Sequence, residues 1–197
     1  MSRLNQVQRH LAPATTSLSA IIVPWLVFTG LMYLVSWYNY LLFHSLAELF
    51  SICVAVAVFM LAWNTRRFMK DDFLFFIGTS YLFAAFIDLF HTLSYKGVGI
   101  LPAPDANLPT QLWIAARYLQ SLSFLAAVLL IRRKINHRLL LGVMATVTVL
   151  LLVAIAAGLF PDCYVNGLTP FKRVSEYIIS LILAVAALRL GRESEAF

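Results

Sequence analysis

Charge is scarce in this chain. Asp, Glu, Lys and Arg account for 12% of its 197 residues and apolar residues for 61%. A soluble globular domain carries roughly 25% charged and ~45–50% apolar residues. With a mean hydropathy of +0.84, the deficit of one class and the excess of the other exclude an ordinary water-soluble domain and point into a bilayer. Cysteine is nearly absent: Cys53 and Cys163 lack C-x-x-C spacing and form no disulfide framework, so both are expected as free thiols. Internal repeats and low-complexity tracts are missing. So is the alternating apolar/polar pattern of a transmembrane β-barrel, whose strands run ~10 residues, far shorter than the continuous apolar runs here. Helices remain as the way to satisfy the backbone in lipid.

The runs present predict an all-α, polytopic transmembrane bundle. Six spans are expected, at about 18–38, 43–64, 73–94, 110–131, 139–160 and 171–190, in a single integral membrane domain over 1–197. The N-terminal stretch with Arg3 and Arg9 resembles a signal peptide in charge, but lacks a clear small-residue cleavage site, and the run from Leu18 is long enough to span, so it reads as a retained first helix. Only Asn39 to Leu42 separates the first two runs, which predicts a tight turn and antiparallel neighbours. The final residues, Gly191 to Phe197, are too few for a soluble output domain.

Position says more than the net charge of +6. Eleven of the fifteen basic residues fall on one face: Arg3 and Arg9, then Arg66, Arg67 and Lys70, then Arg132, Arg133, Lys134 and Arg138, then Arg189 and Arg192. The positive-inside rule makes that face cytoplasmic, with both termini inside. The basic excess is thus accounted for without nucleic acid. Trp37, Tyr38, Tyr40, Tyr95 and Trp113 collect at the expected outer boundary, where amphipathic rings favour the interface. The outer loop Lys96 to Pro109, rich in Gly and Pro, is a candidate lid.

Ionisable residues inside apolar spans need explaining, since a charge there costs about 2.5–3.5 kcal/mol or more and marks a functional site by default. His44 and Glu48 share a helix face at i, i+4; Asp88 and His91 do so at i, i+3; Arg117 stands on a stripe with Trp113 and Gln120. At ~1.5 Å per residue the group falls at one depth in the outer leaflet, with Glu176 of the sixth span at a similar level. The candidate ligand-binding set is therefore His44, Glu48, Asp88, His91, Arg117, Trp113, Tyr95 and Glu176. Several chemistries stay open. His44, His91, Glu48 and Asp88 are donors suited to a transition metal ion, Arg117 to an anionic group, and the His and acid pairs to proton relay. Plainer roles stand beside these: Glu176 can pair with Lys172 or Arg173 one turn away, and Asp88 with Arg117 can be a buried ion pair joining two helices. Cys53 lies about 180° around its helix from His44 and so points away.

The motifs His44-Ser-Leu-Ala-Glu48-Leu-Phe50, Ala62-Trp-Asn-Thr-Arg-Arg67, Asp88-Leu-Phe-His91-Thr-Leu-Ser-Tyr95-Lys-Gly97, Asn107-Leu-Pro-Thr-Gln111-Leu-Trp113-Ile-Ala-Ala-Arg117-Tyr118 and Thr169-Pro-Phe-Lys172 with Ser175-Glu176-Tyr177 resemble the bacterial membrane-associated sensor domain of the third MASE type, over most of the chain from about Leu18. The resemblance implies a multi-pass sensory module of the bacterial inner membrane at the head of histidine kinases or diguanylate cyclases. Its partners would be the lipid bilayer, a cytoplasmic signalling output of either kind and a second copy in a homodimer; no catalytic activity is assigned to this chain. Family members usually continue into a further helix and an output region, whereas this sequence stops just past its sixth span. Two rival functions are an intramembrane metal-dependent hydrolase of the ceramidase-like kind, which needs three metal ligands and a base, and an ion- or proton-coupled transport component, which needs a polar route through the apolar halves Val54–Leu61 and Phe73–Phe76.

Overall fold

The computed structural model describes residues 18–195. Met1 to Ser17, where the retained N-terminal segment with Arg3 and Arg9 was expected to begin, lie outside the described residues. The described residues are all-helical: α1 (Leu18–Tyr38), α2 (Tyr40–Thr65), α3 (Phe73–Ser94), α4 (Asn107–Leu129), α5 (His137–Ala156) and α6 (Pro170–Glu195). All six are long and apolar enough to cross a membrane. The chain divides into two compact units, residues 1–44 and 45–197, so α2 begins in the first and continues in the second.

In the first unit, α1 buries none of its spanning window. The tight turn expected over Asn39 to Leu42 is not formed. Asn39 alone lies outside helix, its N–H donates to the Val35 carbonyl at 2.9 Å, and its carbonyl accepts from Phe43 N–H at 3.0 Å. Both bonds keep the i→i−4 spacing of an α-helix. The Asn39 side-chain oxygen accepts from Leu42 N–H at 3.0 Å, the bond of an N-cap residue.

The second unit is organised by α3 and α4, each half buried along its spanning window, against 6% for the window of α2, 22% for α5 and 17% for α6. α3 packs along α4; α5 rests on both, and α6 lies on α4. Lipid tails are as apolar as leucine, so close backbone approach has to supply the attraction between such helices. Small residues permit it: Ala84 and Ala85 of α3 and Ala115 and Ala116 of α4 are all buried. Gly78 serves α2 in the same way. A Cβ there would stand 2.9 Å from Ala62 Cβ and 3.1 Å from Phe59 Cα, with no flexible side chain to give way.

Both ends of the α3–α4 pair are tied down. At the basic end the buried Asp72, just ahead of α3, accepts from Ile135 N–H at 2.8 Å and from His137 Nε2 at 3.0 Å, with Lys134 Nζ at 3.9 Å. Asn136 then caps α5, its side chain accepting from Arg138 and Leu139 N–H at 3.1 Å each. At the other end Asn107 Oδ1 accepts from Cys163 and Tyr164 N–H at 2.8 and 3.0 Å, its Nδ2 donates to Asp162 at 2.7 Å, and Gln111 donates to the Phe160 and Pro161 carbonyls at 3.0 and 3.1 Å. The loop between α5 and α6 is thereby fastened to the start of α4. Within it Cys163 is fully buried, and burial together with neighbouring Asp162 pushes its thiol up to about 11.

Two helix ends differ from expectation for local reasons. α4 starts at Asn107, one turn before the expected Thr110, because Pro109 sits in the first turn, where helical N–H groups have no intrahelical partner and a missing one costs nothing. α5 stops at Ala156 instead of Phe160. Gly158 adopts φ +69°, its N–H donates to Ile155, and Leu159 N–H donates to the Ala154 carbonyl at 2.8 Å, the paired bonds of a Schellman ending.

Gly78→Val is expected to destabilise the second unit by about 1–3 kcal/mol through overpacking against Ala62 and Phe59; unchanged thermal unfolding in detergent would count against the close approach of α2 and α3. Asp72 yields a pH prediction. Burial alone would raise its carboxyl, but the Ile135 N–H, His137 and Lys134 outweigh that and hold it below the ordinary 3.8. A carboxylate depressed in the folded state stabilises above its unfolded value, and that contribution is lost as pH falls through the folded value. Asp72→Asn should therefore be less stable than wild type at pH 7, with the gap closing below about pH 4; a gap independent of pH would refute the clasp.

Candidate functional site

His91 occupies the last turns of α3 at 5% exposure. Its Nδ1 lies 2.7 Å from the Pro109 carbonyl at the start of α4. A carbonyl only accepts, so Nδ1 carries a proton and donates, and in the neutral form of the ring Nε2 is then the acceptor. That nitrogen faces Glu48 Oε1 of α2 at 4.0 Å. Tyr95, which ends α3, sets its ring edge-on to the imidazole at 5.9 Å. The imidazole plane and tautomer are thus fixed by two neighbours, an orienting arrangement also found around metal-bound and proton-carrying histidines.

Asp88 stands one turn earlier on the same face of α3, at 4% exposure. Its Oδ2 accepts from Arg117 Nη2 of α4, whose Nη1 donates to Gln120 Oε1 at 2.6 Å. The Arg117 guanidinium lies 5.8 Å from the Trp113 ring centre, within cation–π range. Asp88 Oδ1 and Arg117 Nε are buried and have no hydrogen-bond partner among the described residues. Unsatisfied atoms of a buried ion pair are costly, about 1–3 kcal/mol for a neutral group and more for a charged one. Water or a ligand with both a donor and an acceptor would relieve both atoms.

The second unit therefore brings Glu48, Asp88, His91 and Arg117 together from α2, α3 and α4. Glu48 lies in the electrostatic field of the other three. The remaining candidates make further contacts of their own. His44 belongs to the first unit, one helical turn before Glu48 on α2, and stacks on Tyr40 with ring centres 6.2 Å apart. Glu176 pairs with Lys172 at 2.6 Å, one turn back on α6, and Lys172 in turn stands 5.5 Å from the Trp113 ring centre. Cys53 is exposed on α2.

Charge balance limits what this layer can do. Arg117 already neutralises Asp88, whereas His91 Nε2 faces a second carboxylate, that of Glu48, across 4.0 Å. A proton or a cation between those two groups would be held from both sides. The Pro109 carbonyl, the residue that sets the tautomer, was not found by sequence reasoning; backbone carbonyls carry no side-chain signature. The Asp72–His137 clasp was missed as well, because its members stand 65 residues apart and neither lies on a span stripe.

Asp88→Asn should cost about 3–5 kcal/mol by leaving Arg117 buried without its partner, and Asp88→Leu combined with Arg117→Met should recover much of that loss. Chemical denaturation in detergent reads both; additive losses in the double variant would contradict the pairing.

Residues 35–197 match the family model MASE3, described as a membrane-associated sensor domain. No curated protein and no solved structure matches the chain. The family match covers most of the sequence, and the chain belongs to the MASE3 family of membrane-associated sensor domains.

Proposed function

We propose that this membrane-associated sensor domain binds a small ligand at the layer of Glu48, Asp88, His91 and Arg117, and passes the resulting shift to a cytoplasmic signalling output, a kinase or a cyclase. The observation that carries the reading is the contact of His91 Nδ1 with the Pro109 carbonyl, which turns Nε2 toward Glu48 beside an ion pair with buried, unsatisfied atoms. Trp113 and Tyr95 flank these groups. The ligand acts by its differential affinity for two packings. Closing the 4.0 Å gap between Glu48 and His91 draws α2 toward α3, and α2 carries that displacement to its other end at Thr65. The distribution of basic loops supports an orientation with that end in the cytoplasm of a bacterial cell and the polar layer in the outer leaflet.

A proton and a transition metal ion are the two simplest occupants of the Glu48–His91 gap. Binding is favoured over intramembrane hydrolysis because Arg117 holds Asp88, which takes that carboxylate away from the general-base role a hydrolase would need. The apolar stretch from Val54 to Leu61 likewise favours sensing over transport.

In purified protein in lipid nanodiscs, Zn²⁺ or acid titration should change Trp113 fluorescence in the wild type. His91→Ala and Asp88→Ala should abolish the change while both variants remain inserted. An undiminished response in both variants would remove the layer from the mechanism.

A further inference from the structure

A cavity of about 300 Å³ opens between the C-terminal ends of α4 and α6, at the end of α4 away from Arg117. Val128, Leu129 and Ile131 give it an apolar side. Three guanidiniums, those of Arg132, Arg133 and Arg189, meet one carboxylate there, Glu193. The basic residues come from two segments more than fifty positions apart in the sequence, so the cavity gathers them by tertiary packing.

The turn that delivers Arg132 is unusual. Arg132 adopts φ +67°, the left-handed region that favours glycine, while Ile131 N–H and Arg133 N–H close the turn on the Val128 and Leu130 carbonyls at 3.4 and 3.0 Å. Its guanidinium lies 3.8 Å from Glu193 Oε2, with the two side chains 51% and 43% exposed. An ion pair that open to water is weak and readily exchanged for a better anion. Glu193 is thus an internal competitor for the position a bound anion would take.

We propose that this cavity is a head-group site for an anionic phospholipid. Guanidinium forks match phosphate oxygens in geometry and charge. The apolar residues beside them suit the start of an acyl chain, and basic pockets between transmembrane helices at an anionic leaflet are where such head groups bind. The bound phosphate displaces Glu193 from Arg132 and links the end of α4 to the end of α6. A purely topological role for these arginines would need no cavity and would treat every basic loop alike. Arg66 and Arg67 provide that comparison; Arg66 is already occupied, donating to the Trp63 carbonyl and lying 4.0 Å from its ring centre.

Native mass spectrometry of delipidated protein with phosphatidylglycerol, phosphatidylcholine or inorganic phosphate as probe tests the assignment. Arg133→Gln with Arg189→Gln leaves the left-handed position untouched and should lower phosphatidylglycerol occupancy about tenfold or more, whereas Arg66→Gln with Arg67→Gln should not. Glu193→Gln should raise it. Thermal unfolding of each variant separates lost binding from lost folding. Equal occupancy in both double variants, or phosphatidylcholine retained as well as phosphatidylglycerol, would overturn the proposal. Displacement of phosphatidylglycerol by millimolar inorganic phosphate would overturn the lipid source and assign the anion site to soluble phosphate.

Discussion

The ion pair between Asp88 and Arg117 is the constraint around which the second unit is arranged. Either charge alone inside an apolar bundle is strongly unfavourable, and together they are tolerated only where their helices meet. Asp88 projects from α3 and Arg117 from α4, the two half-buried helices, and buried alanines on both allow the approach the pair requires. The charge pair fixes which faces meet, and the small residues let them meet closely. The polar layer and the packing core are therefore two consequences of one interface.

That interface is anchored at both ends. Asp72 secures the start of α3 to the start of α5, and Asn107 with Gln111 secures the start of α4 to the loop before α6. Asn107, Gln111 and the residues around them are among the motifs that mark the family resemblance, and their hydrogen bonds give them a structural role in holding that loop. Against this frame the Glu48–His91 approach at 4.0 Å is the looser junction. On the proposed reading, a ligand changes the position of α2 against a fixed pair of helices.

Much of this was legible in the sequence because membrane helices write themselves as long apolar runs and their buried faces as polar stripes. The spacing of Asp88 with His91 and of Arg117 with Trp113 and Gln120 marked faces that do meet in the structure. What escaped were contacts between distant segments and contacts to the backbone. Neither the Asp72–His137 pair nor the Pro109 carbonyl leaves a periodic trace. The Gly158 stop of α5 did have a signal, a lone glycine near the end of an apolar run, which hydropathy alone passes over. Asn39 shows the converse: a polar residue between two apolar runs suggested a turn, and its hydrogen bonds instead keep helical spacing on both sides.

The central claim, that Pro109 fixes His91 with its acceptor nitrogen turned toward Glu48, is most directly tested by solid-state NMR of ¹⁵N-histidine-labelled protein in lipid, with His91 assigned by its absence in His91→Gln. At a pH where the ring is neutral, the account predicts a protonated Nδ1 and a bare Nε2 for His91. A protonated Nε2 with a bare Nδ1 would contradict it, since the Pro109 carbonyl could not then hold the ring and no acceptor nitrogen would face the carboxylate.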